Sequence, residues 1–306
     1  MSTISHDGAA RALTPGKTIF DYADELAVEV PTSCRRRGTC HECVVEITEG
    51  MAALSVPSEA ESFLRGDYRL ACQAVIERED MDIAFAPLRR RPRILTESRP
   101  KAAIDHDPMV TRQGADVLYD GEVVEPYRGH IYGLAIDLGT TTVVMDLIDL
   151  ETGASLRTSA FENPQRFGGS DVMNRISYDG TDGTGELKRA VVTAINRELR
   201  AQSRAGHPRR AIYEVVVAGN STMRDLLFGL DVQSIGQKPY QSLVEHEYLA
   251  GQRPDTALRD NARDLGLSVH PRARAYGLPL IGSHVGGDAA ADLMAVDMTE
   301  CPDDIV

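Results

Sequence analysis

Cys34-Arg35-Arg36-Arg37-Gly38-Thr39-Cys40-His41-Glu42-Cys43 places three thiols within ten residues, and Cys72 adds a fourth, so the set reads C-x5-C-x2-C-x28-C. Thiols packed this closely point to an inorganic centre. A [2Fe–2S] cluster takes four thiolates; a loop carrying three of them wraps one side while a distant strand or turn supplies the last. A four-cysteine zinc site is the competing reading, because zinc favours paired C-x2-C units. Here Cys40 and Cys43 make one such pair while Cys34 and Cys72 stand alone, which favours the cluster. Gly38 allows the close backbone approach by which amide N–H groups point at cluster sulfurs.

The residues around this loop alternate short strands with a helix. Thr14-Pro15-Gly16, flanked by residues 9–13 and 18–20, reads as a hairpin turn. Ile19, Phe20, Ala23, Leu26 and Ala27 recur near a helical period. Val44-Val45-Glu46-Ile47-Thr48 is strand-like, and Ser58-Glu59-Ala60-Glu61 has the form of a capping box opening a short helix to Leu64. Residues 68–73 lead into Val75 and Ile76 as a further strand. The passages Gly38-Thr39-Cys40-His41-Glu42-Cys43 and Arg69-Leu70-Ala71-Cys72-Gln73 resemble the ferredoxin fold in order and separation. The first cysteine gap is one residue longer than the plant-type C-x4-C-x2-C spacing, as in adrenodoxin-like variants. An α+β ferredoxin-like (β-grasp) domain is therefore expected over residues 1–86. Ferredoxin-like loops usually carry glycine after the first cysteine; Arg35, Arg36 and Arg37 here can raise the cluster potential, form a docking patch, or simply be solvated.

A length of 306 residues suits about two domains. The net charge of −13, from 33 basic and 46 acidic residues, argues against a nucleic-acid or anionic-membrane partner. The first thirty residues hold no apolar run fit for a signal peptide, and no stretch approaches the length that spans a bilayer. Four of the five cysteines belong to the cluster pattern and Cys301 is left over, so a disulfide framework is excluded and a reducing, cytoplasmic location is expected.

Residues 87–128 are rich in helix and strand breakers, as in Pro87-Leu88-Arg89-Arg90-Arg91-Pro92-Arg93 and Arg99-Pro100-Lys101, and read as a semi-extended linker whose basic run serves docking or salt-bridging. Such a tether suits a domain that swings its cluster towards an acceptor.

In residues 129–306, the apolar strand Ile131-Tyr132-Gly133-Leu134-Ala135-Ile136 runs into Asp137-Leu138-Gly139-Thr140-Thr141-Thr142, and residues 143–148 form the next strand. Gly139 lets backbone N–H groups reach a phosphate, Thr140, Thr141 and Thr142 supply hydroxyl donors, and Asp137 can hold Mg²⁺ through water. A third strand follows Glu151-Thr152-Gly153. Asn163-Pro164-Gln165-Arg166-Phe167-Gly168-Gly169-Ser170-Asp171 is a polar turn before a helix, and Leu187, Val191, Ile195 and Leu199 mark an amphipathic helix. A buried strand at residues 214–217 leads to Gly219 and Asn220, in a loop position that faces the ligand cleft of an α/β sheet. Leu280-Ile281-Gly282-Ser283-His284-Val285-Gly286-Gly287-Asp288 reads as another strand, glycine turn and helix start, which either shapes the cleft or serves packing; His284 reads as structural. The strand, D-x-G-T-T, strand arrangement resembles the first phosphate motif of the actin, Hsp70 and sugar-kinase superfamily. That resemblance implies an α/β RNase H-like lobe of an ATPase.

Taken together, the cysteine pattern, the 137–142 motif, Asn163-Pro164-Gln165, Gly219-Asn220-Ser221-Thr222-Met223 and Val285-Gly286-Gly287-Asp288 resemble the ATP-dependent reductive activators of corrinoid proteins. The resemblance implies a [2Fe–2S] cluster on Cys34, Cys40, Cys43 and Cys72, and ATP with Mg²⁺ held by Asp137, Gly139, Thr140, Thr141, Thr142, Gly219 and Asn220. It implies a corrinoid protein of a methyltransferase system as partner, a low-potential electron donor, and room for a homodimer. Members of this family continue for some hundreds of residues with a second phosphate strand and an adenosine pocket, so a longer reading frame is expected beyond Asp303-Asp304-Ile305-Val306. The alternative is a ferredoxin-fused nucleotide-binding module that senses redox state or nucleotide without turnover. A small-molecule kinase has no use for a cluster.

Overall fold

The computed structural model describes residues 2–88, 107–181 and 185–295; the basic runs between 89 and 101, Cys301 and the last four residues named above lie outside them. Strands β1 (Thr3–His6) and β2 (Ala9–Ala12) form an antiparallel hairpin that turns at Asp7 and Gly8, with φ of 46° and 82°. The hairpin expected at Thr14-Pro15-Gly16 is thus displaced. Thr18 instead caps helix α1 (Ile19–Glu25) in a capping box with Asp21, so the chain after Gly16 enters a helix rather than a second strand.

Strands β3 (Val44–Glu49), β4 (Tyr68–Leu70) and β5 (Ile83–Pro87) complete a five-stranded sheet in the order β2-β1-β5-β3-β4, in which β1 and β5 run parallel. Ile19, Phe20, Tyr22 and Ala23 of α1 are buried, which gives the β-grasp arrangement expected. The Ser58–Glu61 capping box forms but opens only the 3-10 turn Glu59–Glu61. Glu61 is drawn inward to Arg69 Nε (2.8 Å) and to the Leu70 amide (2.9 Å), so it fixes β4 instead of extending a helix to Leu64.

Over the described part of the connector the tether is also corrected. Strands β6 (Val110–Gln113), β7 (Asp116–Tyr119) and β8 (Glu122–Pro126) form an antiparallel meander. Val110 and Val117 pack with Ile131 and Tyr213, and Glu125 accepts from Tyr213 Oη (2.6 Å). The short apolar run Val117-Leu118-Tyr119 between the Gly114 and Gly121 turns carries that structure, a strand signal hidden by the Pro/Arg-rich run before it.

The remaining strands are β9 (Tyr132–Leu138), β10 (Thr142–Asp149), β11 (Ser155–Glu162), β12 (Ile212–Gly219), β13 (Leu258–Asn261) and β14 (Arg274–Gly277). Helices α2 (Val172–Thr181), α3 (Glu186–Arg204), α4 (Ser221–Phe228), α5 (Leu243–Leu249) and α6 (Gly287–Ala295) accompany them. The sheet order is β11-β10-β9-β12-β14-β13: an antiparallel meander, then β12 parallel to β9 and β14 parallel to β12. This is the RNase H-like topology expected. Leu187, Val191, Ile195 and Leu199 of α3 are fully buried against the sheet, as their spacing predicts. The strand expected at residues 280–281 lies earlier, at β14. Leu278 donates the last ladder bond to Val217, Pro279 has no donor to continue it, and beyond it only a Gly282–Val285 bridge forms, with His284 exposed.

The two domains share one hydrophobic core, in which Val44, Phe63 and Leu88 join Phe161 and Phe167. In this arrangement the cluster domain is seated on the lobe.

Candidate functional site

The sulfur cradle is the 34–43 loop closed by the turn after β4. Cys34, Cys43 and Cys72 are buried and Cys40 is partly exposed. Arg35, Arg36 and His41 hold φ of 56°, 64° and 57°, a left-handed bend that costs about 1–2 kcal/mol per residue. Arg36 is anchored through it, bonding Asp21 (3.1 Å) and Asp24 and stacking on Phe20, while Arg37 Nε donates to Cys34 O (3.1 Å). Of the three arginines, two are thus tied into the cradle, and Arg35 is exposed to solvent.

The bend aims donors at sulfur. Burial alone would raise the Cys34 thiol, but the hydrogen bond with Cys40 and the amides of Cys40, Thr39 and Arg37 outweigh it and bring it to about 6. Cys72 is lowered to about 6 by the hydrogen bond from Cys43, against burial, with help from Gln73 Nε2 at 3.4 Å and the Gly38 amide. Cys43 stands 3.4 Å from Cys72 and is pushed up by giving that bond and by burial. The sulfurs therefore come as two adjacent pairs, Cys34 with Cys40 and Cys43 with Cys72. Two bridged irons need two protein sulfurs each, so the donor set fits a binuclear cluster. Among the described residues no three His, Cys, Asp or Glu side chains converge as a single ion would require.

The phosphate turn joins β9 to β10. Gly139 N–H donates to Thr142 O (3.0 Å), and a Cβ on Gly139 would stand 2.7 Å from that oxygen, so glycine is needed for the close approach. Adjacent parallel strands bring the second loop alongside, with Ala218 opposite Asp137 and Gly219 opposite Leu138. Asn220 caps α4 by accepting from Met223 N (3.0 Å), and its Nδ2 donates to Thr140 Oγ1 (3.0 Å), leaving the threonine O–H free to donate. Gly286 closes over this point, where a Cβ would lie 2.5 Å from Asn220 Cα. Asp137 is exposed at the strand end; its carboxyl is raised above the ordinary range by desolvation, then by the carboxylates of Asp288 and Asp292 on α6. Thr141 is exposed at the tip and Thr142 opens β10. The structure thus brings Asp137, Gly139, Thr140, Thr141, Thr142, Gly219 and Asn220 together where β9, β10 and β12 meet, with amides, hydroxyls and the carboxylates of Asp288 and Asp292 nearby.

A buried polar layer lies beneath the turn, and its arginine was not visible in the sequence. Arg175 Nη2 donates to Thr140 O (2.7 Å) and Nε to Gly169 O (3.0 Å), and burial lowers this guanidinium to about 10. Asn163 Nδ2 donates to Gly139 O (2.8 Å), and Gln165 Nε2 to Leu187 O (3.1 Å). Asn163-Pro164 carries a legible helix-start signal, whereas nothing in the polar α2 sequence marks Arg175 or, on α6, Asp292.

Comparison with known proteins now places the molecule. Residues 132–301 match the family described as the RACo middle region, more than half of the chain. The chain belongs to the RACo middle-region family. Residues 4–77 of this RACo-family chain match the 2Fe-2S iron-sulfur cluster binding domain. A "corrinoid activation enzyme RamQ" of Eubacterium limosum is 30% identical over 170 residues, which is 54% of this chain and 27% of that enzyme. A "2Fe-2S ferredoxin" of Pseudomonas aeruginosa is 33% identical over 82 residues, 24% of this chain and 73% of the ferredoxin. The solved structure of a "reductive activator for corrinoid, iron-sulfur protein" aligns at a TM-score of 0.57 and 21% identity over 99% of this chain and 58% of its own, and shows the shared fold. The chain therefore spans about a quarter of the first relative and somewhat over half of the solved activator. Among the described residues no helix is long and apolar enough to cross a membrane.

Proposed function

We propose that this chain reactivates corrinoid proteins, passing one electron from a [2Fe–2S] cluster on Cys34, Cys40, Cys43 and Cys72 to a Co(II) corrinoid to restore Co(I). ATP with Mg²⁺ at Asp137, Gly139, Thr140, Thr141, Thr142, Gly219 and Asn220 drives the step. The cluster, when bound, supplies a one-electron redox couple. Its electron comes from an external low-potential donor, and cobalt takes it up.

The observation that carries the reading is a cradle of four paired thiols and a phosphate turn with an acidic rim in one folded chain. Similarity to a corrinoid activation enzyme supplies the acceptor. Energetics explain why both sites are needed. Plant-type [2Fe–2S] centres lie near about −400 mV, and Co(I) is a far stronger reductant. Each ~59 mV of deficit at one electron is a tenfold equilibrium penalty. Binding ATP in a complex with the corrinoid partner offsets that deficit, and later methylation of Co(I) makes the reduction irreversible in effect.

In this reading residues 1–86 carry the electron, residues 129–306 form the first lobe of an actin-like ATPase, and residues 87–128 join them. Asp137 would hold Mg²⁺, Gly139 and its neighbours would give amides to phosphate, and Thr140 would add its hydroxyl. The test is ATP hydrolysis by the chain within its full reading frame. The reading expects stimulation on adding a Co(II) corrinoid protein. No stimulation of the cluster-loaded protein would instead favour a ferredoxin-fused binding module.

A further inference from the structure

The phosphate turn and the sulfur cradle meet through one short element, the 3-10 helix Pro164–Gly168 with its cap Asn163. At its start, Asn163 gives its backbone N–H to Thr141 O (2.7 Å) and its side-chain amide to Gly139 O (2.8 Å). At its end, Phe167 packs edge-on against Phe63 of the cluster domain, with ring centres 5.9 Å apart. Phe63 in turn lies flat against His41 at 4.1 Å, and His41 stands between Cys40 and Cys43. Arg166 reaches Glu46 on β3 (2.6 Å), three residues beyond Cys43. Tyr178 of α2 packs on Phe167 and donates to Phe63 O (2.5 Å).

The middle of the element has no slack. Asn163 and Gln165 are 1% and 0% exposed, and Gln165 is bonded to Leu187 O at the head of α3 (3.1 Å). That same helix presents Glu186 and Arg189 to His41 Nδ1. A displacement of the Gly139 carbonyl must break its part-buried hydrogen bond to Asn163 or carry the 3-10 helix with it, since close-packed interiors shift between discrete arrangements rather than stretching. Two further contacts among the described residues, Glu29 with Arg197 and Arg65 with Thr181, lie at the exposed rim, where polar pairs contribute little. The Phe167 end of this element is thus one of the buried seats of the cluster domain, beside the Tyr178–Phe63 hydrogen bond and the α3 pairs on His41.

We infer that the Pro164–Gly168 helix couples the two sites: nucleotide phosphate on the 139–142 turn firms the seat of the cluster domain and keeps the His41 side of the cluster loop covered. This rests on the phosphate site proposed above and goes beyond it, because it makes nucleotide the control on cluster access. Linkage makes the effect reciprocal, so a seated cluster domain tightens nucleotide binding by the same factor.

The test uses cluster-loaded protein, with the chain within its full reading frame. Bleaching of the cluster by an iron chelator and hydrogen exchange of amides in residues 38–43 are followed with and without MgATP, whose binding is measured by calorimetry on the same sample. The expected result is slowing of both by at least about fivefold, the lower end of ordinary coupling between sites. In Phe167→Ala the slowing disappears while MgATP still binds, and in Phe167→Leu part of it remains. MgATP binding to the natural sequence with both rates unchanged overturns the coupling alone. Absence of MgATP binding overturns the phosphate site and the coupling together. Full protection in Phe167→Ala overturns the route through the 3-10 helix.

Discussion

The bend of the sulfur cradle is made mainly by its own loop: Arg35, Arg36 and His41 turn the chain and the amides of Arg37, Thr39 and Cys40 face Cys34, while α1 anchors Arg36 and the turn after β4 supplies Cys72. The phosphate turn is held from outside, by Asn163, Arg175 and Asn220, which come from a 3-10 cap, α2 and the α4 cap. A site made locally survives changes around it but fails outright when one ligand is lost. A site assembled by remote buried groups weakens by degrees as each support is removed. The two regions therefore answer substitution on different scales.

Cys72→Ser tests the all-or-none side of that contrast. It removes one sulfur of the Cys43–Cys72 pair, and visible absorbance of the anaerobically purified protein is expected to vanish or fall to a small residue. Retention of the native spectrum and iron content would break the contrast.

Next in size is Glu61, which anchors the strand leading to Cys72. Its carboxylate and Arg69 are 1% and 3% exposed, and breaking such a pair costs about 3–5 kcal/mol. Glu61→Ala is expected to lower the stability of the cluster domain by that amount in denaturant unfolding. Burial alone would raise this carboxyl, but Arg69 and the amides of Ser58 and Leu70 hold it below its ordinary value of 4.5. Its folded pKa being depressed, its contribution is complete above pH 4.5 and is lost as pH falls through the lower folded value. Glu61→Gln should flatten that acid limb of the stability profile.

Smaller effects belong to the turn. Gly139→Ala forces a Cβ to 2.7 Å from Thr142 O, and MgATP affinity measured by calorimetry is expected to drop about tenfold, or roughly 1.4 kcal/mol. Arg175→Met leaves the Thr140 and Gly169 carbonyls without their donor, at about 1–3 kcal/mol of stability with a graded loss of nucleotide binding. Smallest is Glu46→Gln at the domain junction. Glu46 and Arg166 are 30% and 22% exposed, so the pair contributes about 0–1 kcal/mol, and raising the salt concentration should erase the difference from the natural sequence.

The same contrast governs how much could be read from the chain. Cys34, Cys40, Cys43 and Cys72 announce their site because a local cradle leaves its spacing in the sequence, and the 137–142 stretch shows its turn between two apolar strands. Arg175 left no mark, since its role arises only when α2 packs under a turn 35 residues earlier in the chain. The hairpin misplaced to Thr14-Pro15-Gly16 shows a local competition decided by capping: Thr18 and Asp21 satisfy helix amides better than a second strand would. The 107–128 meander was obscured because composition over a long window outweighed the short apolar run Val117-Leu118-Tyr119. Seating of the cluster domain through Phe63 and Phe167 is a contact between distant aromatics with no sequence signature.

The most direct measurement is anaerobic transfer from the pre-reduced cluster to a Co(II) corrinoid protein, followed by the growth of Co(I) absorbance with and without MgATP, by the chain within its full reading frame. The account predicts Co(I) formation that requires both MgATP and Cys72. Equal Co(I) formation by Cys72→Ser, or in the absence of nucleotide, would contradict it.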